Sequence, residues 1–160
     1  MRKVTVAAVQ MRCTENAEEN IARAEALVRK AAAEGAQIIL LPELFERPYF
    51  CQERRYEYYG YAKPVEENDA VRHFSKVAKE LSVVLPISFY ERDKNRLFNT
   101  VAILDADGEN LGIYRKTHIP DDHYSLRAIR ALKPLRPGTL SSAWASAGTS
   151  GSRRRPGSWP

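Results

Sequence analysis

The sequence predicts an α/β fold, an incomplete α-β-β-α sandwich in which helices cover one face of a sheet. Apolar runs of strand length alternate with segments of helical periodicity, in the order strand, helix, strand, helix. A series of strands follows, and the patterning stops at about residue 124 with nothing left to build a second layer. A chain of 160 residues, 44% hydrophobic and 28% charged, has the composition of one globular domain.

The first predicted strand and helix occupy the N-terminal part of the chain. Lys3–Gln10 alternates apolar and β-branched residues, which predicts a buried strand. Asn16 and Glu19 have the spacing of a capping box, which predicts that a helix begins there. Apolar residues recur at helical spacing as far as Glu34, and Gly35 supplies a stop signal.

The second predicted strand is Gln37–Leu41, a continuous apolar run that ends at Pro42 and is typical of a strand buried on both faces. A second helix is predicted from about Asn68 to Leu81, because its apolar residues recur on one face. Asp107-Gly108 marks a hairpin turn between the last two of three further strands. These strands are Val83–Tyr90, Leu97–Leu104 and Leu111–Tyr114.

The composition changes at the boundary between residues 1–124 and residues 125–160. The second segment is rich in Ser, Gly, Pro, Ala and Arg, and it predicts a disordered tail. It holds seven of the 25 basic residues and none of the 20 acidic ones, so the net charge of +5 comes entirely from it. An arginine-rich tail without interleaved aromatic residues or a binding fold does not indicate a nucleic-acid partner.

The remaining composition favours a reduced cytoplasmic protein. We see no secretory signal at the N-terminus and no apolar run of the roughly 20 residues that a membrane span needs, so we expect no membrane partner. Two cysteines, Cys13 and Cys51, are too few for a disulfide framework or a cysteine-based metal cluster. His118 and His123 match no strong metal signature, and Pro120 breaks any helix that would align them, so we expect no metal.

Two residues at strand ends are candidates for chemistry. Glu43 follows the apolar strand directly, at the sheet edge where α/β active sites gather, and a carboxylate there is suited to act as a general base. Lys116 follows the last strand, where an ammonium group can stabilise an oxyanion. Position alone favours the ordinary alternatives, in which Glu43 is a loop glutamate and Lys116 is part of a solvated strand face.

Three segments together resemble the nitrilase superfamily of carbon–nitrogen hydrolases: AAVQM near the start, GAQIILLPELF on the second strand and GIYRKTHIPDDHY on the last. The resemblance covers residues 3–124 and implies a sandwich of the nitrilase type. ELFERPYFCQ and KTHIPDDHY are most similar to the branch that hydrolyses N-carbamoylputrescine. That likeness implies a small carbamoylated amine as substrate, with putrescine, ammonia and carbon dioxide as products, in polyamine biosynthesis and without a cofactor.

The resemblance also implies roles for individual residues. Glu43 is the general base and Lys116 the lysine of a Glu-Lys-Cys triad, and Tyr49 lines the substrate pocket. Related amidases for β-ureidopropionate or ω-amides share this triad, so they remain alternatives. Relatives usually assemble through sheet-to-sheet contacts, which implies a homo-oligomer for the full-length enzyme.

The sequence departs from the family at the nucleophile, because no G-I-C-W-D-like motif follows Lys116. Neither Cys13 nor Cys51 occupies the matching position. Residues 142–152, back-translated with synonymous codons and read one nucleotide earlier, permit the string IGVGICWDQWF, which contains the family's cysteine motif. We therefore predict a deletion or frameshift near Tyr124 that also removes a short stretch, which in the family typically contains a second glutamate beside the site. The chain as written is then expected to be inactive. An inactive truncated fragment, or one that acts only as a binding module, is the alternative function.

Overall fold

The computed structural model describes residues 3–53 and 55–117, so the predicted tail (residues 125–160) lies outside the described residues. Strands and helices are mixed as the sequence predicts, and the α/β class is confirmed. The elements in chain order are β1 (Val6–Ala8), α1 (Ala17–Ala33), β2 (Ile38–Leu40), α2 (Asp69–Leu81), β3 (Leu85–Asp93), β4 (Arg96–Leu104) and β5 (Asn110–Arg115).

Both helices begin at an asparagine cap. The Asn16 side chain accepts the backbone N–H of Glu19 at the start of α1, as predicted. The reciprocal half of the capping box is not formed, because the Glu19 carboxylate accepts the Thr14 hydroxyl instead. Asn68 caps α2 by accepting the N–H of Val71 at 2.9 Å.

The five strands are joined in chain order. β1 and β2 are parallel, whereas β3, β4 and β5 form an antiparallel sheet. A parallel bridge between Ile38 and Val84 connects the two groups, with the N–H of Val84 donating to the carbonyl of Gln37 at 2.8 Å. Gly108, at φ +87°, lies in the turn between β4 and β5, which confirms the predicted hairpin.

The core lies between the two helices and one face of this sheet. Its fully buried large side chains include Ile39, Phe45, Phe74, Leu85, Ile87, Phe89 and Leu104. The prediction that the second strand is buried on both faces is wrong. Ile39 is fully buried, but Leu40 is 52% exposed and Val6 on the neighbouring strand is 68% exposed. Successive strand residues face opposite ways, and in the described part of the chain the helices cover only one side.

A segment between β2 and α2 folds into three short 3-10 helices, Phe50–Gln52, Tyr56–Tyr61 and Val65–Glu67. Their sequences carry no hydrophobic period, so the sequence does not predict them. Phe50 and Ala62 pack with Leu44 and Tyr90 into a second small apolar cluster. This cluster holds the chain that follows Glu43 against the C-terminal half of β3.

Candidate active site

Glu43 is presented by a tight turn at the end of β2. The next residue, Leu44, has the left-handed backbone conformation (φ +53°), which is uncommon for a branched side chain and costs on the order of 1 kcal/mol. Two contacts hold it there. The N–H of Leu44 donates to the Ser88 hydroxyl on β3 at 3.1 Å, and the Leu44 side chain is buried in the small cluster.

Lys116 reaches Glu43 from the end of β5. Its Nζ donates to Glu43 Oε1 at 2.7 Å, which joins two residues 73 positions apart in the chain. The two side chains are only partly buried, with 35% of Lys116 and 43% of Glu43 exposed. The structure therefore brings together the two residues that the sequence singles out.

Asn99 on β4 is a third member of this site, and it is not among the residues predicted from the sequence. Its Nδ2 donates to Glu43 Oε1 at 2.5 Å, and its carbonyl accepts the N–H of Lys116 at 2.8 Å. Its side chain is almost fully buried, with 4% of the residue exposed. The available signal was a polar residue of low strand propensity inside an apolar strand, RLFNTVAIL.

The opposite face of the same strands carries a buried ion network. Arg115 Nε and Nη2 donate to the two oxygens of Glu91 at 2.8 and 2.5 Å, and Nη2 also donates to Asp93 at 2.8 Å. Its guanidinium lies 4.1 Å from the ring centroid of Phe98. The hydrogen bond to Glu91 raises the pKa of Arg115 above its ordinary value, so the group stays charged.

A cleft with aromatic and charged walls includes Leu44, the residue that follows Glu43 in the chain. Leu44, Phe50, Tyr61 and Tyr90 line it together with polar residues, while Glu43 and Lys116 are not among its lining residues. Tyr49 precedes the first 3-10 helix and is 43% exposed, and its place in a substrate pocket stays a prediction. Glu43 and Lys116 thus stand at an open edge of the described structure.

The two cysteines pack against different apolar clusters. Cys13 packs against the helix-covered core, and Cys51 against the small cluster around Phe50. Burial raises the pKa of Cys13, an effect that nearby Arg23 partly opposes. A raised pKa leaves less of the thiolate that nucleophilic attack requires.

Within residues 3–53 and 55–117, no group of three or more His, Cys, Asp or Glu side chains is arranged to hold a metal ion. His118 and His123 lie outside these residues. The helices of this region are also too short or too polar to cross a bilayer.

The sequence profile of the carbon-nitrogen hydrolase family matches residues 5–150. Over 119 residues, 74% of the chain, 53% of positions are identical to N-carbamoylputrescine amidase from Oryza sativa subsp. japonica, and the match covers 40% of that protein. Citrullinase from Francisella tularensis subsp. tularensis is 43% identical over 121 residues, 76% of the chain and 42% of that protein. The chain thus spans about 40% of the length of these relatives.

A solved structure has the same fold as the described residues. The crystal structure of a carbon-nitrogen hydrolase from Helicobacter pylori G27 superposes with a TM-score of 0.71 at 26% identity. The superposition covers 78% of the chain and 44% of that protein, so the described fold corresponds to somewhat less than half of a complete relative.

Proposed function

Because this chain belongs to the carbon-nitrogen hydrolase family, we propose that it carries two of the three catalytic residues of an amidohydrolase acting on N-carbamoylputrescine. The observation that carries the proposal is the 2.7 Å contact between Lys116 Nζ and Glu43 Oε1. A base and a cation held together at a strand end are what acyl transfer from a C–N bond requires. The substrate is inferred from the 53% identity to a relative of that name.

The proposed reaction needs a cysteine thiol as the third group. Glu43 takes the thiol proton, and the thiolate attacks the ureido carbonyl while the Lys116 ammonium stabilises the oxyanion. Collapse of the tetrahedral intermediate breaks one C–N bond, and Glu43 returns the proton to the leaving nitrogen. Water then hydrolyses the carbamoyl thioester and regenerates the thiol. The carbamic acid that is released loses carbon dioxide, and this breaks the second C–N bond. In sum, N-carbamoylputrescine and one water give putrescine, ammonia and carbon dioxide.

We propose that the chain as written does not complete this reaction. Cys13 and Cys51 pack in the two apolar clusters, and the raised pKa of Cys13 opposes thiolate formation. The nucleophile belongs instead to the reading frame that starts one nucleotide earlier beneath residues 142–152. In this proposal the protein of 160 residues is an inactive product of an amidohydrolase gene.

The test compares two proteins from one gene. The nucleotide sequence across the Tyr124 codon is determined first, and codons for residues 142–152 that do not encode ICWD in the shifted frame contradict the frameshift. The 160-residue protein should release no ammonia from N-carbamoylputrescine above its own Glu43→Gln variant. The frame-restored protein is translated in the shifted frame after Tyr124, with the lost stretch put back. It should release ammonia, and its Glu43→Gln and Lys116→Met variants should each lose about 100-fold or more in rate.

Substrate choice is tested on the frame-restored protein. N-carbamoylputrescine should have the highest kcat/KM when it is compared with citrulline, β-ureidopropionate and an ω-amide. A higher kcat/KM for any of these three would replace the proposed substrate while leaving the roles of Glu43 and Lys116 in place. Ammonia release by the 160-residue protein would instead return Cys13 and Cys51 to consideration as nucleophiles.

A further inference from the structure

Asn99 is the residue through which β4 contacts both members of the Glu43–Lys116 pair. Its amide nitrogen donates to Glu43 Oε1, and its carbonyl accepts the backbone N–H of Lys116. We propose that Asn99 is a positioning residue, which fixes the Glu43 carboxylate at the distance and angle where Lys116 meets it. The catalytic meaning of this pair rests on the proposed function, but the positioning itself does not.

The Glu43–Lys116 pair is too exposed to fix its own geometry. Glu43 and Lys116 are each more than one third exposed, and an ion pair of that kind is too weak to hold two flexible side chains in one geometry. The Asn99 amide is buried, so losing its acceptor would leave a desolvated N–H group without a partner. This makes the Asn99–Glu43 hydrogen bond the more rigid of the two contacts on Oε1.

The pairing of β5 with β4 also fixes the direction of the Lys116 side chain. Arg115 pairs with Thr100, so Lys116 stands beside Asn99 on the opposite face of the sheet. Glu91 holds the Arg115 guanidinium on the helix side through two hydrogen bonds. With Arg115 fixed on one face, alternation turns the next side chain, that of Lys116, towards Glu43 on the other.

The experiment uses the 160-residue protein and needs neither substrate nor nucleophile. The protein is treated with a limiting amount of acetic anhydride, and acetylation of Lys116 is measured by peptide mass spectrometry against the exposed lysines Lys30 and Lys76. Acetylation requires that Lys116 Nζ leave its hydrogen bond with Glu43 and reach the reagent, so the contact slows the reaction. Asn99→Leu should raise the relative rate at Lys116 about five-fold, the range expected for losing a partly exposed ion pair.

Two further variants separate positioning from a general loss of structure. Thr100→Val alters the neighbouring residue, whose buried hydroxyl binds Glu91 on the other face, and it should leave the relative rate at Lys116 unchanged. Glu43→Ala should raise that rate as much as Asn99→Leu does. Adding Asn99→Leu to Glu43→Ala should not raise the acetylation rate at Lys116 any further, because Asn99 acts on Lys116 through Glu43.

A second measurement leaves Asn99 intact and covers the case in which its variant does not fold. The side-chain amide signal of Asn99 in a ¹H–¹⁵N spectrum should move and exchange faster in Glu43→Ala than in the parent. The proposal is overturned if the Asn99 amide signal does not move in Glu43→Ala, or if the acetylation rate at Lys116 is unchanged in Asn99→Leu. It is also overturned if the acetylation rates of Lys30 and Lys76 rise equally in Asn99→Leu, or if the effects of Asn99→Leu and Glu43→Ala on Lys116 add in the double variant. Ammonia release does not enter these readouts, so a failure here is distinguishable from a failure of the proposed substrate or reaction.

Discussion

The two faces of the sheet differ in what covers them and in what they carry. On the helix side, Leu85, Ile87 and Phe89 are fully buried under the two helices. On the other side, Val6 and Leu40 are largely exposed, and the Glu43–Lys116 pair stands at the strand ends. Burial of apolar area stabilises the fold in proportion to the area removed from water, so the helix side supplies most of the stability.

The same division separates two carboxylates three residues apart. Glu43 faces the open edge, whereas Glu46 turns to the N-terminus of α2 and accepts the Asn68 side-chain amide at 3.0 Å. Burial raises the pKa of Glu46, and the Asn68 hydrogen bond together with Lys63 partly opposes this. The turn after β2 therefore places the Glu43 carboxylate in the candidate site and the Glu46 carboxylate against the start of α2.

The largest difference in unfolding free energy should appear when the same Leu→Ala substitution is made on each face. Leu85→Ala removes a fully buried side chain from the helix side and should lower the free energy of unfolding by about 3 kcal/mol. Leu40→Ala removes a half-exposed side chain from the other side and should change it by about 0.5 kcal/mol. Urea denaturation followed by circular dichroism measures both values. Equal losses would show that the open face is covered in solution.

The next effect concerns the ion network on the helix side. Arg115→Met leaves the buried Glu91 carboxylate without its cation and should cost about 2 kcal/mol of unfolding free energy, since Arg115 itself is a quarter exposed. Arg96→Met alters an exposed arginine at the start of β4 and serves as the matched control, with an expected change of about 0.5 kcal/mol or less. If Arg115→Met lowers the unfolding free energy no more than the control does, this network does not contribute to the stability of the helix side.

The smallest expected effect is a pH dependence of stability that comes from the buried Glu46 carboxylate. Because the pKa of Glu46 is raised in the folded state, the parent loses stability as pH rises from the ordinary glutamate range through that raised pKa. The amide introduced by Glu46→Gln does not titrate, so the melting temperature of this variant relative to the parent should increase over the same rise in pH. Thermal unfolding between pH 4 and pH 7 measures it, and a difference that is constant or falls with pH contradicts the assignment.

Much of the fold follows from the sequence, because its signals are local. The Asn16 cap, the apolar periods of both helices and the turn at Asp107-Gly108 depend on neighbours within a few residues, and the structure confirms them. The 3-10 segment was missed because its packing partners, Leu44 and Tyr90, lie outside it in sequence. The apolar run of β2 predicts burial on both faces. Such a run does not show whether a second layer covers the strand, and none of the described residues supplies that layer.

The sequence by itself determined the order of the elements, the family and the candidate pair Glu43 and Lys116, because short motifs and periodic patterns encode these directly. Only the tertiary structure placed the pair in contact and brought Asn99 between them. The reason is physical: the contact between Glu43 and Lys116 spans 73 positions, and the register of three strands decides which side chains meet. A shift of one residue in β5 would turn Lys116 to the helix side and Arg115 to the site.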